Sequence, residues 1–107
     1  SLLSVTPALC GATLFVATDA AVIGLDPTTG QRRSSLTLEE PASLLTAAGA
    51  RMIIGTVKGT LLCVDPDHAT VLTKMRGPGR VTVATIIPDG ILVGFDGKTV
   101  HAYRGLP

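Results

Sequence analysis

The chain has 107 residues, 46% of them hydrophobic and 16% charged, with 12 glycines and 7 prolines. That is the length of one ordinary domain and the composition of a folded, turn-rich chain, not a disordered one. A net charge of +1, with no basic run longer than Arg32-Arg33, leaves no electrostatic footprint for nucleic acid or an anionic membrane.

No apolar stretch approaches the roughly 18 residues that cross a bilayer, and no basic segment followed by an apolar one opens the chain. The first residue is Ser1, not Met, so a leader or a larger N-terminal part is compatible with the sequence. Cys10 and Cys63 lie in neither a CxxC nor a CxH pattern. Two such cysteines fit a reducing compartment better than a secreted one, which leans the expectation toward an intracellular protein.

In chain order, short apolar runs alternate with turn signals. "SVTPALC" is followed by "TLFVAT" and "AVIGLD", which are joined by Asp19-Ala20, and then by "QRRSSLTL". "PASLLTAA" is followed by "RMIIGT" and "TLLCVD", joined by "VKG", and then by "ATVLTKM". "VTVATII" is followed by "GILVGF" and "TVHAYR", joined by "DGK". Such runs, rich in Val, Ile, Leu and Thr and joined by a few residues, predict hairpins. Gly59 and Gly97 are expected to supply the positive φ of these turns. The fourth run of each set alternates polar with apolar residues and predicts an outer, half-exposed strand. Only "ASLLTAAGARM" could pass for a short amphipathic helix.

The three sets are copies of one unit. Leu14 to Thr18 align with Met52 to Thr56, and Val22 to Pro27 with Leu61 to Pro66. In the third set Gly94 matches Gly55, and Val100 to Tyr103 match Leu61 to Val64, at a period of about 39 residues. Four short strands per unit of that length predict a β-propeller blade, apolar on both faces and stable only against its neighbours.

"LFVATDAAVIGLDPTTGQ" resembles the repeats of quinoprotein-like (PQQ-like) β-propellers, and more weakly WD40 repeats. Leu14 to Thr18, Val22 to Asp26 and Thr29-Gly30 carry the resemblance in order. The second unit follows it through "MIIGTVKGTLLCVDP" and the third through "ILVGFDGKTVHAY". The family places a Trp shortly after the Thr-Gly turn; "QRRSS" stands there in this chain. The resemblance implies an all-β partial propeller of about three four-stranded antiparallel blades, the last lacking its outer strand. Blade 1 spans about 5–38, blade 2 about 41–75 and blade 3 about 80–104. It also implies a C-terminal portion of a propeller, completed by further blades or by another chain.

The motifs that could carry chemistry each have a simpler reading. Asp65, Asp67 and His68 could ligate a metal, but they align with "DPTT", where Asp-Pro opens a tight turn. Glu39-Glu40 sit in a loop between blades and, as neighbours, point apart. "RGPGR" (76–80) is Gly-rich and basic but lacks the strand-to-helix setting of a phosphate loop. His101 reads as a strand histidine. Three aromatics, Phe15, Phe95 and Tyr103, are too few to stack a quinone, so no cofactor is expected.

The expected function is a non-enzymatic protein-interaction or scaffold module. Its rim would gather the hairpin turns and the blade-to-blade connections, with Asp19, Glu39, Glu40, Lys58, Arg76, Arg80, Asp96 and Lys98 as contact residues. The alternatives are a self-assembling or split propeller that forms a homo-oligomer, and part of a ligand-binding or enzymatic ring. The last would draw on Ser43, Thr46, Thr82 and Thr85 of the first strands and on groups from elsewhere. Expected partners are a protein or the remaining blades of a larger propeller, with neither nucleic acid nor membrane.

Overall fold

A computed structural model describes residues 5–48, 50–96 and 98–104, with all their side chains except those of Ala48 and Ile86. Gly49 and Gly97, on which sequence expectations fell, lie outside the described residues. The strands are β1 (Ala8–Cys10), β2 (Thr13–Ala17), β3 (Ala21–Leu25), β4 (Arg32–Thr37), β5 (Ala42–Ala48), β6 (Arg51–Thr56), β7 (Thr60–Asp65), β8 (Thr70–Arg76), β9 (Val81–Ile87), β10 (Gly90–Phe95) and β11 (Thr99–Arg104). They form three antiparallel sheets in sequential order, β1 to β4, β5 to β8 and β9 to β11. The chain is therefore all-β, an arc of two four-stranded blades and a third with three strands. The segment that could have passed for a helix is β5 and the start of β6, paired antiparallel. Among the described residues no helix is long and apolar enough to cross a membrane.

Local chemistry shapes the second hairpin turn of each blade. Thr18 closes the β2–β3 hairpin: its amide donates to the Ala21 carbonyl at 2.8 Å, and its hydroxyl accepts from the Ala21 amide at 3.1 Å. Gly59 takes φ +95° in the β6–β7 turn, as expected. In the β10–β11 turn Asp96 adopts φ +54°, a conformation that Asp tolerates better than most residues.

Packing follows from the alternation of side chains along each strand. One core joins blades 1 and 2. Cys10, Phe15, Ala17 and Val22 meet Ala42, Leu45, Met52, Ile54, Leu62 and Val64 there. A second core joins blades 2 and 3, where Ile53, Leu61 and Cys63 meet Val81, Ile91, Val93 and Phe95. Adjacent residues of β6 thus point into different cores. That is why β6 and β7 read as unbroken apolar runs, whereas β4 and β8, on the outer edge, alternate. Cys10 and Cys63 are both buried, one in each core, and burial pushes both thiols above their ordinary pKa.

Two polar bonds run from the inner strand of one blade to the next blade. The Cys10 thiol donates to the Arg51 carbonyl at 3.6 Å, and the Ser43 hydroxyl to the Val81 carbonyl at 2.5 Å. Gly55 seats Val81. A Cβ at Gly55 would lie 2.3 Å from Val81 Cγ1, well inside contact distance. Gly55→Ala is therefore expected to destabilise the chain by about 1–3 kcal/mol through overpacking, as read by urea unfolding. Adding Val81→Ala should recover part of the loss, and failure to recover any would show that Val81 is not the obstacle.

Candidate interaction rim

Antiparallel blades place the β2–β3, β6–β7 and β10–β11 turns on one rim, together with the connections that lead from each blade to the next. Backbone hydrogen bonds tie these loops in a repeated pattern. The Leu38 amide donates to the Ala20 carbonyl at 2.8 Å, and Gly77 donates likewise to Gly59 at 2.8 Å. The Val57 amide donates to Pro41 at 3.0 Å, and Asp96 likewise to Arg80 at 2.8 Å. Each hairpin thus holds the strand entering its own blade or the strand leaving it.

The "RGPGR" connection is packed and fixed. Gly59 lies under it, where an added Cβ would come within 2.7 Å of the Gly77 and Gly79 carbonyl oxygens. The Arg80 amide donates to Asp96 Oδ1 at 3.1 Å. The loop therefore acts as a blade connection whose glycines permit close backbone approach.

Glu39 and Glu40 differ in exposure. Glu39 is exposed, whereas the Glu40 side chain is turned inward and only 11% exposed. Glu40 Oε1 accepts hydrogen bonds from the hydroxyls of Thr56 at 2.5 Å and Thr60 at 2.8 Å. Glu40 Oε2 pairs with Arg76 at 3.1 Å, and Arg76 also donates to the Thr60 hydroxyl at 3.2 Å. Hydrogen bonds from Thr56 and then Thr60 hold the Glu40 carboxyl below its ordinary value of 4.5, with Arg76 assisting and burial opposing. Glu40 and Arg76, both expected as contact residues, are thus bound to each other. Asp19, Lys58, Arg80, Asp96 and Lys98 are exposed on the same rim.

Sequence reasoning did not single out Thr56 and Thr60. Their signal was the pair of threonines flanking "VKG". It also did not reveal a cleft of about 250 Å³ beside Glu40, between blades 1 and 2. Leu38, Leu62 and Val71 give this cleft an apolar floor, and Glu39 and Lys74 stand at its edges.

The aspartates of the Asp-Pro turns lie on the opposite rim and do turn chemistry. Asp26 Oδ1 accepts from the Thr28 amide at 2.8 Å, and Asp65 Oδ1 from the Asp67 amide at 2.9 Å. Arg33 stands in the stretch where the family resemblance expects a Trp. Its guanidinium donates to Asp26 Oδ2 at 2.9 Å and to the Ala12 carbonyl at 2.8 Å, clipping two turns together. The His68 ring donates from Nδ1 to Asp65 Oδ2 at 3.1 Å. Asp65 in turn raises His68 above its ordinary 6.5. His101, in mid-strand, sets its ring edge-on to Phe95 at 5.3 Å between centroids.

No family model matches the chain, and no curated protein matches it in sequence. Solved structures match it in shape. BamB from Moraxella catarrhalis superposes with a TM-score of 0.80 at 18% identity, over 95% of this chain and 34% of that one. The computationally designed Ika8 protein gives 0.80 at 19% identity, over 92% and 32%. A chain of a mitotic checkpoint complex gives 0.79 at 17% identity, over 92% and 32%. These are β-propeller proteins, and at such identities the likeness shows the fold: this chain is built of β-propeller blades. It spans about a third of the length of each.

Two expectations follow from the titrating groups. Glu40 has a depressed folded pKa, so its contribution is present above about pH 4.5 and is lost as pH falls through the folded value. Glu40→Gln should lower stability by about 1–2 kcal/mol at neutral pH, with the gap to wild type closing on acidification. A gap that does not change with pH would show that the charge is not what matters. His68 should titrate above 6.5 by NMR, and Asp65→Asn should bring it back toward that value. In linkage terms the pair favours the fold below pH 6.5 for as long as Asp65 stays ionised, and its contribution fades as pH rises through the raised His68 value.

Proposed function

We propose that the chain is a non-enzymatic protein-interaction or scaffold module that offers its stitched rim to a protein partner. The carrying observation is the combination of fixed backbone and exposed charge. Backbone hydrogen bonds hold the rim loops, while Glu39, Lys58, Arg80, Asp96 and Lys98 face solvent. Loops held on a rigid scaffold lose little freedom on binding. Charges of both signs on one rim suit a partner surface of mixed charge, where complementarity sets orientation and encounter rate. The likeness to a chain within a mitotic checkpoint complex fits this reading by analogy of fold alone.

The non-enzymatic part of the proposal draws on where the polar groups are spent. Ser43 and Thr82 of the first strands donate to backbone carbonyls of Val81 and Gly94. Asp26 and Asp65 are held in turns. A ligand or reaction site in the channel of a completed ring would need groups from other blades. A second reading, a piece of a larger propeller completed by further blades, is favoured by the exposed apolar residues Leu9, Val83 and Val100 on the two outward blade faces.

The rim reading is tested by using the chain as bait in three forms. These are wild type, Lys58→Glu/Lys98→Glu on the rim, and Gln31→Ala/Asp67→Ala on the opposite rim. A partner should be recovered with the first and third and lost with the second, while thermal unfolding of all three stays alike. Equal recovery with all three forms would remove the rim from consideration.

A further inference from the structure

The two blade joints share one plan but are filled differently. The repeat sets Leu38, Glu39 and Glu40 of the first connection against Gly77, Pro78 and Gly79 of the second. The hydrogen bonds agree, since the Leu38 and Gly77 amides donate to the equivalent carbonyls of Ala20 and Gly59. Thr56 likewise falls on Phe95, each directly after its matching glycine, Gly55 or Gly94. At the second joint the chain fills the space itself. The Phe95 ring lies over Gly77, where an added Cβ would come within 2.2 Å of the ring, and Phe95 is fully buried. At the first joint Thr56 stands in place of the ring, and its hydroxyl turns to Glu40.

What remains at the first joint is the cleft beside Glu40, whose walls come from blades that follow each other inside the chain. Its volume of about 250 Å³ is below the roughly 300–1,000 Å³ that holds a drug-sized ligand, and suits one large side chain. The floor is apolar, and Val71 leaves it 40% exposed to water. The edges differ in sign: Glu39 and Lys74 are both exposed there. The Glu40 carboxylate is engaged by Thr56, Thr60 and Arg76, so it shapes the wall and is not what a ligand would pair with.

We propose that this cleft seats one aromatic side chain from an extended segment of a protein partner, in the place that Phe95 takes at the second joint, with a basic residue of the segment toward Glu39 and an acidic one toward Lys74. Side chains on one face of an extended segment recur every second residue, so the two charges stand two positions on either side of the anchor. The apolar floor supplies the affinity, and the opposite edge charges set the direction of the segment. This inference rests on the rim reading for the partner being a protein, and adds the residue that the partner inserts.

The test is an NMR titration of the isotope-labelled chain with the peptide acetyl-Lys-Ala-Phe-Ala-Glu-amide and with its reverse, acetyl-Glu-Ala-Phe-Ala-Lys-amide. One order should bind at millimolar concentration or below, with saturating shifts at the amides of Leu38, Leu62 and Val71. The other order should bind about threefold or more weakly. Replacing the peptide's Phe by Ala should weaken binding about tenfold or more. Val71→Trp lays the chain's own ring over the floor from an exposed position, and should abolish the shifts while thermal unfolding stays as in wild type. Absence of saturation with both peptides overturns the proposal. So do shifts that map away from the cleft, equal binding of the two orders, or undiminished binding of the Ala peptide. A partner captured through Lys58 and Lys98 would still uphold the rim reading in each of those cases, so the two failures are told apart.

Discussion

A sheet with apolar side chains on both faces must be covered twice, and everything else in this chain follows from that. Blade 2 meets the requirement through its neighbours. Met52 and Ile54 point to blade 1, Ile53 and Leu61 to blade 3, and all four are nearly inaccessible to solvent. The same alternation that makes β6 a good strand makes it unable to stand alone. Stability is therefore shared between adjacent units and does not reside in any one of them. The terminal blades each meet the requirement on one side, and their partly exposed aliphatic residues are its visible remainder.

The hydrogen bonds of the rim serve the same requirement by different chemistry. Apolar packing is not directional, so two blades could slide or tilt against each other at little cost in buried area. The bonds from Val57 to Pro41 and from Asp96 to Arg80 fix where each strand enters its blade. Glu40 adds a charged knot at the junction of blades 1 and 2, binding a connection, a hairpin and the end of β8 through one carboxylate. Such a group has value only while all its partners are present, since an inward carboxylate without them would lose its solvation for nothing.

Much of this was legible in the sequence because the fold is repetitive. Three copies of an apolar strand, a short turn and a second apolar strand set the period, and the period set the architecture. The Asp-Pro turns were legible for the same reason: Asp26 and Asp65 do one job in two places. Glu40 was not, because its role needs Thr56, Thr60 and Arg76, which lie up to 36 residues away in the chain and meet only when β5 to β8 pair in register. The cleft beside it was hidden too, since its walls come from two different blades. The positive φ of Asp96 was not singled out either, since Asp adopts it far less often than Gly.

The placement of the two cysteines has a consequence of its own. Cys10 belongs wholly to the contact between blades 1 and 2, and Cys63 to the contact between blades 2 and 3. Thiol chemistry requires the thiolate and access to it, and burial withholds both. The chain therefore carries one chemical clock for each of its two joints. Whichever joint breathes more often sets the rate at which its own sulfur reacts, so the order of labelling ranks the joints by local stability without any change to the sequence.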